Sequence, residues 1–430
     1  MKEKIFSSLT KFVFIVFLLC VPFSFIYSLS FLEKNKSFTS FSLYNIYLLD
    51  LAAIGLIVLA FINLSWHKKS FLALLFAFFA LISSFWSGSP LLSFIGGLRM
   101  VIIVLALGIT ISLVKKSENY QNIFLKTLIA TGIIQSFIAL GQFILGKSLG
   151  LYLLGESHLG NGVLGLARIN ILNHDFLRAY GTFPHPNVLG GYLLFTLAIT
   201  FLYKSAKYKY LLLFIQLVGL GLTFSRTAIL GFLIMCFFTI VSSSRRWGSR
   251  FFLDSRFHGN DSGKKRVGLI SKKSIATTIL IIIFSLSLFR SPIQSILSGR
   301  DKGINMRIEY AKAAIARLAD SPILGRGWGT GPIELPAFST FPFYSWELQP
   351  VHNIYLLVLS DLGIAGLLIL IYFIYRVATG PHNIWKYLFI TFLFIGLVDH
   401  YLLTLPQGIF IFWGSAFLVY TQLQKKEKIL

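Results

Sequence analysis

Charged side chains are scarce in this sequence, and their scarcity excludes an ordinary soluble protein. Only 13% of the 430 residues are charged, whereas 56% are hydrophobic. A soluble domain has roughly 25% charged residues. Apolar runs of the length needed to cross a bilayer, about 17 to 25 residues, recur along the chain. The sequence therefore predicts an all-α polytopic membrane protein.

Acidic residues are fewer than basic ones: the sequence has 16 Asp and Glu and 39 Lys and Arg. The net charge of +23 would suit a nucleic-acid partner, but the basic residues form short clusters between apolar runs. That pattern is typical of the cytoplasmic loops of membrane proteins, so we expect no nucleic-acid binding. The loops expected outside contain few carboxylates and no His/Asp/Glu cluster with ligand spacing, and we therefore expect no metal and no cofactor.

Cysteines and processing signals are also few. The two cysteines, Cys20 and Cys236, each lie inside an apolar run, which argues against a disulfide framework. No small-residue cleavage site follows the apolar run in residues 1–31. We interpret this segment as a retained first helix rather than a removable signal.

Twelve apolar runs predict transmembrane helices, with both chain ends on one side. They lie at 12–31, 43–64, 71–86, 91–114, 121–146, 187–203, 210–224, 226–242, 274–290, 353–376, 387–402 and 407–423. Basic clusters fall in alternate connecting segments, which places both ends and the basic loop 243–273 in the cytoplasm. The long segments 147–186 and 291–352 are then a first outer loop and a large outer loop between helices 9 and 10.

Apolar residues in the large outer loop recur at spacings of three and four. They are Ile304, Ile308, Ala311, Ile315 and Leu318. The spacing predicts an amphipathic helix over 304–320 that lies on the outer membrane surface and stops at Ser321. We expect Arg307 to face a site, and Arg317 to lie on a solvated face. Arg326, a possible secondary site residue, follows in a glycine-rich loop. This loop lacks the Lys-Ser/Thr of a nucleotide P-loop, which argues against ATP binding.

Three predicted helices begin on the outer face, at about residues 187, 226 and 353, so their positive ends converge. His352 precedes the third helix, where the partial positive charge disfavours an imidazolium. A neutral histidine there can act as a general base; the alternative is that it only caps the helix or lies in the interfacial belt. Arg226 beside free helix amides suits an anion site, or else is a snorkelling anchor.

Other candidates stand beside these helix ends. Arg178 and His185 belong to a segment that two prolines hold extended, with Asn187 as the expected N-cap; the alternative is a rigid turn with an incidental His and Arg. His400 lies outside beside Asp399 and is a further candidate that helps to shape the site. Together these groups suit the anionic headgroup of a lipid in the outer leaflet, such as a polyprenyl pyrophosphate.

Between about residues 90 and 410 the chain resembles the O-antigen ligase and polymerase superfamily. The resemblance rests on the Arg178–Asn187 segment, the Ser225-Arg226 pair, the Arg307 helix with the Ser-Pro-Ile-Leu-Gly-Arg-Gly that follows it, and Val351-His352-Asn353 with the Gly363/Gly366 spacing. It implies a GT-C-like fold. It also implies that Arg226 and Arg307 hold the pyrophosphate, and that His352 assists the acceptor hydroxyl.

The resemblance implies a metal-independent glycosyltransferase on the outer face of the bacterial cytoplasmic membrane. Its donor would be a glycan on polyprenyl pyrophosphate, and its acceptor a glycan, glycolipid or protein. The resemblance does not decide between a ligase and a polymerase. The ligase is favoured because the large outer loop ends at His352. A flippase or transporter is the alternative from another class; such proteins place ionisable residues near the bilayer midplane, where this sequence has only Arg99 and Lys126 within spans.

Overall fold

The computed structural model describes residues 2–28, 45–61, 71–171, 174–203, 208–253, 302–344 and 347–421. This part of the chain is mostly helical.

In chain order the helices are α1 (Lys2–Cys20), α2 (Leu48–Phe61), α3 (Phe71–Ile82), α4 (Pro90–Lys116), α5 (Glu118–Leu145), α6 (Pro186–Leu202), α7 (Lys209–Leu222), α8 (Arg226–Leu253), α9 (Lys302–Asp320), α10 (Gly331–Glu334), α11 (Ile354–Ala378), α12 (Ile384–Ile395), α13 (Tyr401–Thr404) and α14 (Pro406–Leu418). Strand β1 (Ile26–Ser28) pairs antiparallel with β2 (Asn45–Tyr47), and β3 (Arg168–Ile171) with β4 (His174–Leu177). Single 3-10 turns lie at Ser83–Phe85, Tyr152–Leu154 and Leu335–Ala337.

The expected helical membrane architecture is confirmed in its general form, but the described residues also contain two short strand pairs, so they are mostly rather than wholly helical. Three described helices, α4, α5 and α11, are long and apolar enough to cross a membrane. The other apolar stretches of helix have only 10–17 residues, which is short against the roughly 20 residues of a full crossing. The predicted span 274–290 and most of the basic loop 243–273 lie outside the described residues.

The predicted span 387–402 is wrong in its second half, because α12 ends at Ile395. Residues at the start of α11 bind the carbonyl groups that a longer α12 would use for its own hydrogen bonds. The amide of Ile354 donates to the Gly396 carbonyl at 2.8 Å, and the Asn353 side chain donates to the Leu397 carbonyl at 3.0 Å. The chain after Ile395 is therefore a turn, and that turn carries Asp399 and His400.

Helices α6 and α14 form the centre of the bundle. Fifteen of the 17 residues of α6 and all 13 of α14 are buried, as expected for helices that are apolar on every face. The rings of Phe195 on α6 and Phe410 on α14 pack at 6.0 Å. The first turn of α6 is thus held rigidly by the core beneath it.

Helix α11 is interrupted at Gly363, whose φ of 65° and ψ of −167° are not helical. The loop 322–327 enters the interruption. The amides of Ile364 and Ala365 donate to carbonyls of Pro322 and Ile323, at 2.9 and 3.1 Å. In return, the Ser360 and Asp361 carbonyls accept from the amides of Arg326 and Gly327, at 3.2 and 2.9 Å. The backbone groups that the interruption releases are therefore paired by the loop.

A buried ion pair lies beside this interruption and corrects the expectation for Arg317. This residue is 2% exposed, so it does not lie on a solvated face. Its Nη1 lies 2.7 Å from Asp361 Oδ1, and its Nε lies 3.1 Å from Glu334 Oε2. The second carboxylate oxygen of Asp361 accepts from the Gly329 amide at 2.8 Å. The helix spacing could not reveal these partners, because Asp361 is 44 residues away in sequence.

Replacing Arg317 with alanine is expected to destabilise the protein by about 3–5 kcal/mol, because Asp361 would be left as an uncompensated buried charge. The free energy of unfolding, from SDS titration in mixed micelles, measures the effect. The control is Lys312→Ala on the same helix, whose ion pair with Glu309 is exposed on the lysine side and is worth less than about 1 kcal/mol. Equal stability of the two variants would contradict a structural role for the buried pair.

Candidate functional site

The start of α6 is built by a histidine cap. The Nδ1 of His185 accepts from the amide of Asn187 at 3.1 Å, so His185 is the N-cap and the prediction of Asn187 for that role is wrong. Pro186 occupies the first helical position, where its missing N–H costs nothing. The Asn187 side chain is thereby released to bind Arg178 and Asp399.

The start of α11 is capped by Asn353, whose Oδ1 accepts from the amides of Tyr355 and Leu356 at 2.9 and 3.0 Å. Capping therefore does not account for His352, the residue before the cap. The ring of His352 instead lies between two aromatic neighbours. Tyr310 of α9 stacks on it with ring centroids 5.5 Å apart, and His400 meets it edge-on at 4.8 Å.

The start of α8 is capped by Ser225. Ser225 Oγ accepts from the amide of Ala228 at 3.3 Å. Phe224 immediately before it has a positive φ of 45°, which turns the chain sharply into the helix. Arg226, the first residue of α8, has an exposed side chain.

Asp399 joins these segments through a chain of hydrogen bonds. Its Oδ2 accepts from Asn187 Nδ2 at 2.7 Å, and its Oδ1 accepts from the His400 amide at 2.9 Å. Asn187 Oδ1 accepts from Arg178 Nη2 at 2.8 Å, and Arg178 Nε donates to the Thr223 carbonyl at 2.8 Å. Asp399 is 4% exposed, so its carboxylate is a fixed part of the site.

Tyr310 and His400 are themselves held in place. The Tyr310 hydroxyl donates to the Glu347 carbonyl at 2.5 Å, and its ring stacks on Phe343 at 5.4 Å. His400 Nδ1 lies 2.8 Å from Thr404 Oγ1. The orientation of the His352 ring is thus set by neighbours from α9 and from the turn after α12.

The histidines of the site are neutral at neutral pH. The pKa of His185 is lowered to about 3, first by burial and then by Arg178. Burial lowers the pKa of His352, with Asp399 opposing and Arg307 adding to the effect. Burial lowers the pKa of His400 well below its ordinary value, helped by His352 and Arg307. The sequence predicted a neutral His352 from the helix end, but burial is the larger cause.

The arginines are close enough to influence one another. The pKa of Arg178 is lowered to about 10, mainly by burial, and both Arg226 and Arg307 contribute to the lowering. At that pKa the guanidinium stays charged at pH 7. The structure therefore brings Arg178, Arg226 and Arg307 to the same region as the three histidines, with Asp399 as the carboxylate among them.

A metal-binding geometry is present that the sequence did not indicate. His352, Asp399 and His400 each offer a ligand atom, and these atoms lie within 4.8 Å of one another. Such ligands suit a transition metal, although the neighbouring arginines oppose a cation. The spacing of 47 residues between His352 and Asp399 hides the group in the sequence.

Arg326 lies apart from these groups. Its Nε is 2.7 Å from Glu334 Oε2, it also pairs with Asp320, and its guanidinium lies 4.8 Å from the Phe338 ring centroid. These contacts belong to the ion-pair network of Arg317. Conversely, sequence reasoning missed Tyr310 and the Asn187 side chain; the spacing of three residues between Arg307 and Tyr310 was the available signal, since such residues share a helix face.

The fold and site define a helical, membrane-type protein in which arginines and buried histidines gather where helices α6, α8 and α11 begin. A family model described as O-antigen ligase matches residues 211–371. That segment, less than half of the chain, contains Arg226, Arg307 and His352. Over that segment the chain is similar to the O-antigen ligase family. No curated protein gives a significant match.

Stability is expected to fall as the pH drops from 7 to 5. Below pH about 6.5 a histidine in the unfolded chain binds a proton, whereas a buried histidine with a lowered pKa in the folded protein does not. Each such histidine therefore lowers the free energy of unfolding by up to about 1.4 kcal/mol per pH unit. Melting temperature in detergent, measured at several pH values, tests this.

His185→Asn keeps a capping side chain and should make the melting temperature depend less steeply on pH. The control is His174→Asn, which changes an exposed histidine at the start of β4 and should leave the slope unchanged. If both variants keep the wild-type slope, the neutrality of His185 is refuted.

Proposed function

We propose that this protein is an O-antigen ligase-like glycosyltransferase, which moves a glycan from a polyprenyl pyrophosphate such as undecaprenyl pyrophosphate to an acceptor hydroxyl. One observation carries the proposal: three arginines from separate segments converge on neutral histidines at the beginnings of three helices. The family match supports the reaction class. The acceptor is a glycan, a glycolipid or a protein.

The donor diphosphate binds at the cationic side of the site. Helix N-termini attract phosphate through their free amides and partial positive charge, and α6, α8 and α11 all begin here. Arg178 is engaged by Asn187 and by the Thr223 carbonyl, so its role is to fix the first turn of α6. Exposed Arg226 and half-buried Arg307 are the groups that we assign to the diphosphate, because guanidinium forks match phosphate oxygens.

His352 is the general base of the proposed reaction. The acceptor hydroxyl gives its proton to the neutral imidazole while its oxygen bonds to the anomeric carbon. The bond between that carbon and the diphosphate oxygen breaks, and the diphosphate leaves on its polyprenyl carrier. The arginines stabilise the negative charge that develops on the leaving group.

Asp399 supports the base without touching the substrate. Its charge raises the pKa of His352 against burial, so it stabilises the imidazolium that forms when the proton arrives. Its hydrogen bonds also hold Asn187 and the His400 amide. We assign Asp399 and Asn187 as positioning residues, and His185 and His400 as uncharged side chains that line the site.

The proposed topology has twelve spans in a GT-C-like arrangement, with both termini in the cytoplasm of a bacterium. The site then lies on the outer face of the inner membrane. Loops 147–186 and 291–352 are outside, and α9 lies on the outer surface. The proposed glycosyl transfer needs no metal, because the arginines and helix ends supply the positive charge that stabilises the diphosphate.

A transporter of lipid-linked glycans fits less well. Its ionisable groups would lie within the spans, where Arg99 is the main candidate. That residue is already neutralised by Asp50, with Nε 3.0 Å from Oδ2, and its guanidinium lies 4.7 Å from the Tyr47 ring centroid. The strong concentration of charge at the helix ends favours the enzyme.

Arg226→Ala and His352→Ala are each expected to reduce transfer by about a hundredfold or more, because each removes an electrostatic or proton-accepting group. The measurement resolves surface and lipid-linked glycans by length on a gel, in cells lacking the gene and carrying each variant. Arg168→Ala, an exposed arginine of β3, is the control and should behave as wild type.

The same gel separates the two enzymes. If cells lacking the gene accumulate long chains on the polyprenyl carrier, the protein is a ligase. If those cells contain single repeat units and no long chains, it is a polymerase. A normal glycan profile for His352→Ala, beside a defective deletion strain, would remove His352 from the chemistry.

Tyr310→Phe is expected to keep most of the activity, because the ring still stacks on His352. Tyr310→Leu loses the stack and should lower the transfer rate by on the order of tenfold to a hundredfold, since small displacements of a catalytic group are costly. Transfer by purified protein across a pH series measures both. Equal rates and equal pH profiles for the two variants would show that the stack does not position His352.

A further inference from the structure

A cavity lies at the end of the bundle opposite the candidate site. It has a volume of about 690 Å³ and lies between the first turn of α3 and the last turns of α4, α11 and α14. Gly108, eight residues before the end of α4, marks its inner limit, so it extends about 12 Å into the bundle at 1.5 Å per helical residue. The volume is in the range of pockets that hold small ligands, about 300–1,000 Å³.

The inner part of this cavity is apolar and its mouth is polar. Phe71, Leu72, Phe373 and Phe417 contribute the apolar wall. At the mouth Tyr372 accepts a hydrogen bond from Arg376 Nη1 at 3.2 Å, and the Tyr420 hydroxyl donates to the Arg376 carbonyl. Aromatic hydroxyls in this position are typical of the headgroup level of a bilayer.

The charge at the mouth is positive. The exposed Arg376 lines it directly. Lys115 follows Ile111 of the cavity wall by four residues and so lies on the same helix face, one turn nearer the end. Among the described residues that line the cavity, none is acidic. The cavity thus combines an apolar interior with a cationic rim.

We propose that this cavity binds an anionic phospholipid, with an acyl chain in the apolar part and the phosphate against Arg376. The apolar wall matches the chain, the basic rim matches the headgroup charge, and the tyrosines lie at the depth of the ester region. The lipid fills a cleft between α3, α4, α11 and α14. Since α11 begins beside His352, the lipid supports the far end of the helix that leads to the candidate site. The inference does not rest on the proposed reaction.

The test uses full-length protein, delipidated in mild detergent and exposed to an equimolar mixture of phosphatidylglycerol and phosphatidylcholine. Native mass spectrometry counts the lipids retained. We expect one phosphatidylglycerol to be retained preferentially, and Arg376→Ala to reduce that preference about fivefold, the contribution of one basic side chain at an anionic surface.

Two further variants make the result specific. Lys126→Ala removes an exposed charge from α5, outside the cavity, and should leave the preference unchanged. Thr379→Trp narrows the mouth without changing its charge and should reduce retention of both lipids. Equal retention of the two lipids by the wild type, a preference unchanged in Arg376→Ala, or an equal loss in Lys126→Ala would each overturn the proposal.

Discussion

The buried ion pair of Arg317 and Asp361 is the interaction on which the arrangement of the site depends. A charge pair taken out of water is stable only when its remaining hydrogen-bonding groups are satisfied. Here the Gly329 amide and the Thr330 hydroxyl complete the set. The pair fixes α9 against the interruption in α11, and α9 in turn carries Arg307 and Tyr310 to His352. Helix α9 is thereby held against the candidate site.

The site combines two electrostatic requirements that oppose each other. A diphosphate needs concentrated positive charge, whereas a histidine base must stay unprotonated. Burial and neighbouring arginines both lower the pKa of the histidines, so the charge that would hold the donor also keeps the base neutral. The carboxylate of Asp399 limits this effect at His352.

Charge is placed at the two ends of the bundle, with apolar helices between them. At one end arginines from loops and helix starts surround neutral histidines. At the other end Arg376 and the last turn of α4 surround an apolar cavity. Within the described helices, Arg99 is paired with Asp50, so the interior carries little net charge.

The sequence alone determined the helical membrane-type architecture and most helix positions, because these depend on local hydrophobicity. It also named Arg226, Arg307 and His352 as site candidates from helix-end chemistry. Hydrophobic runs and the short motifs around Arg226, Arg307 and His352 are readable without a fold. Only the tertiary structure decided that His185 rather than Asn187 caps α6, that Arg317 is buried, that Arg326 lies apart, and that Asp399 and Tyr310 meet His352. The burial of Arg317 against Asp361 and the approach of Asp399 and Tyr310 to His352 depend on partners tens of residues distant, and such pairings are fixed by packing, which no local pattern specifies. The cap at His185 is local, but it leaves the Asn187 side chain to bind Asp399, 212 residues away.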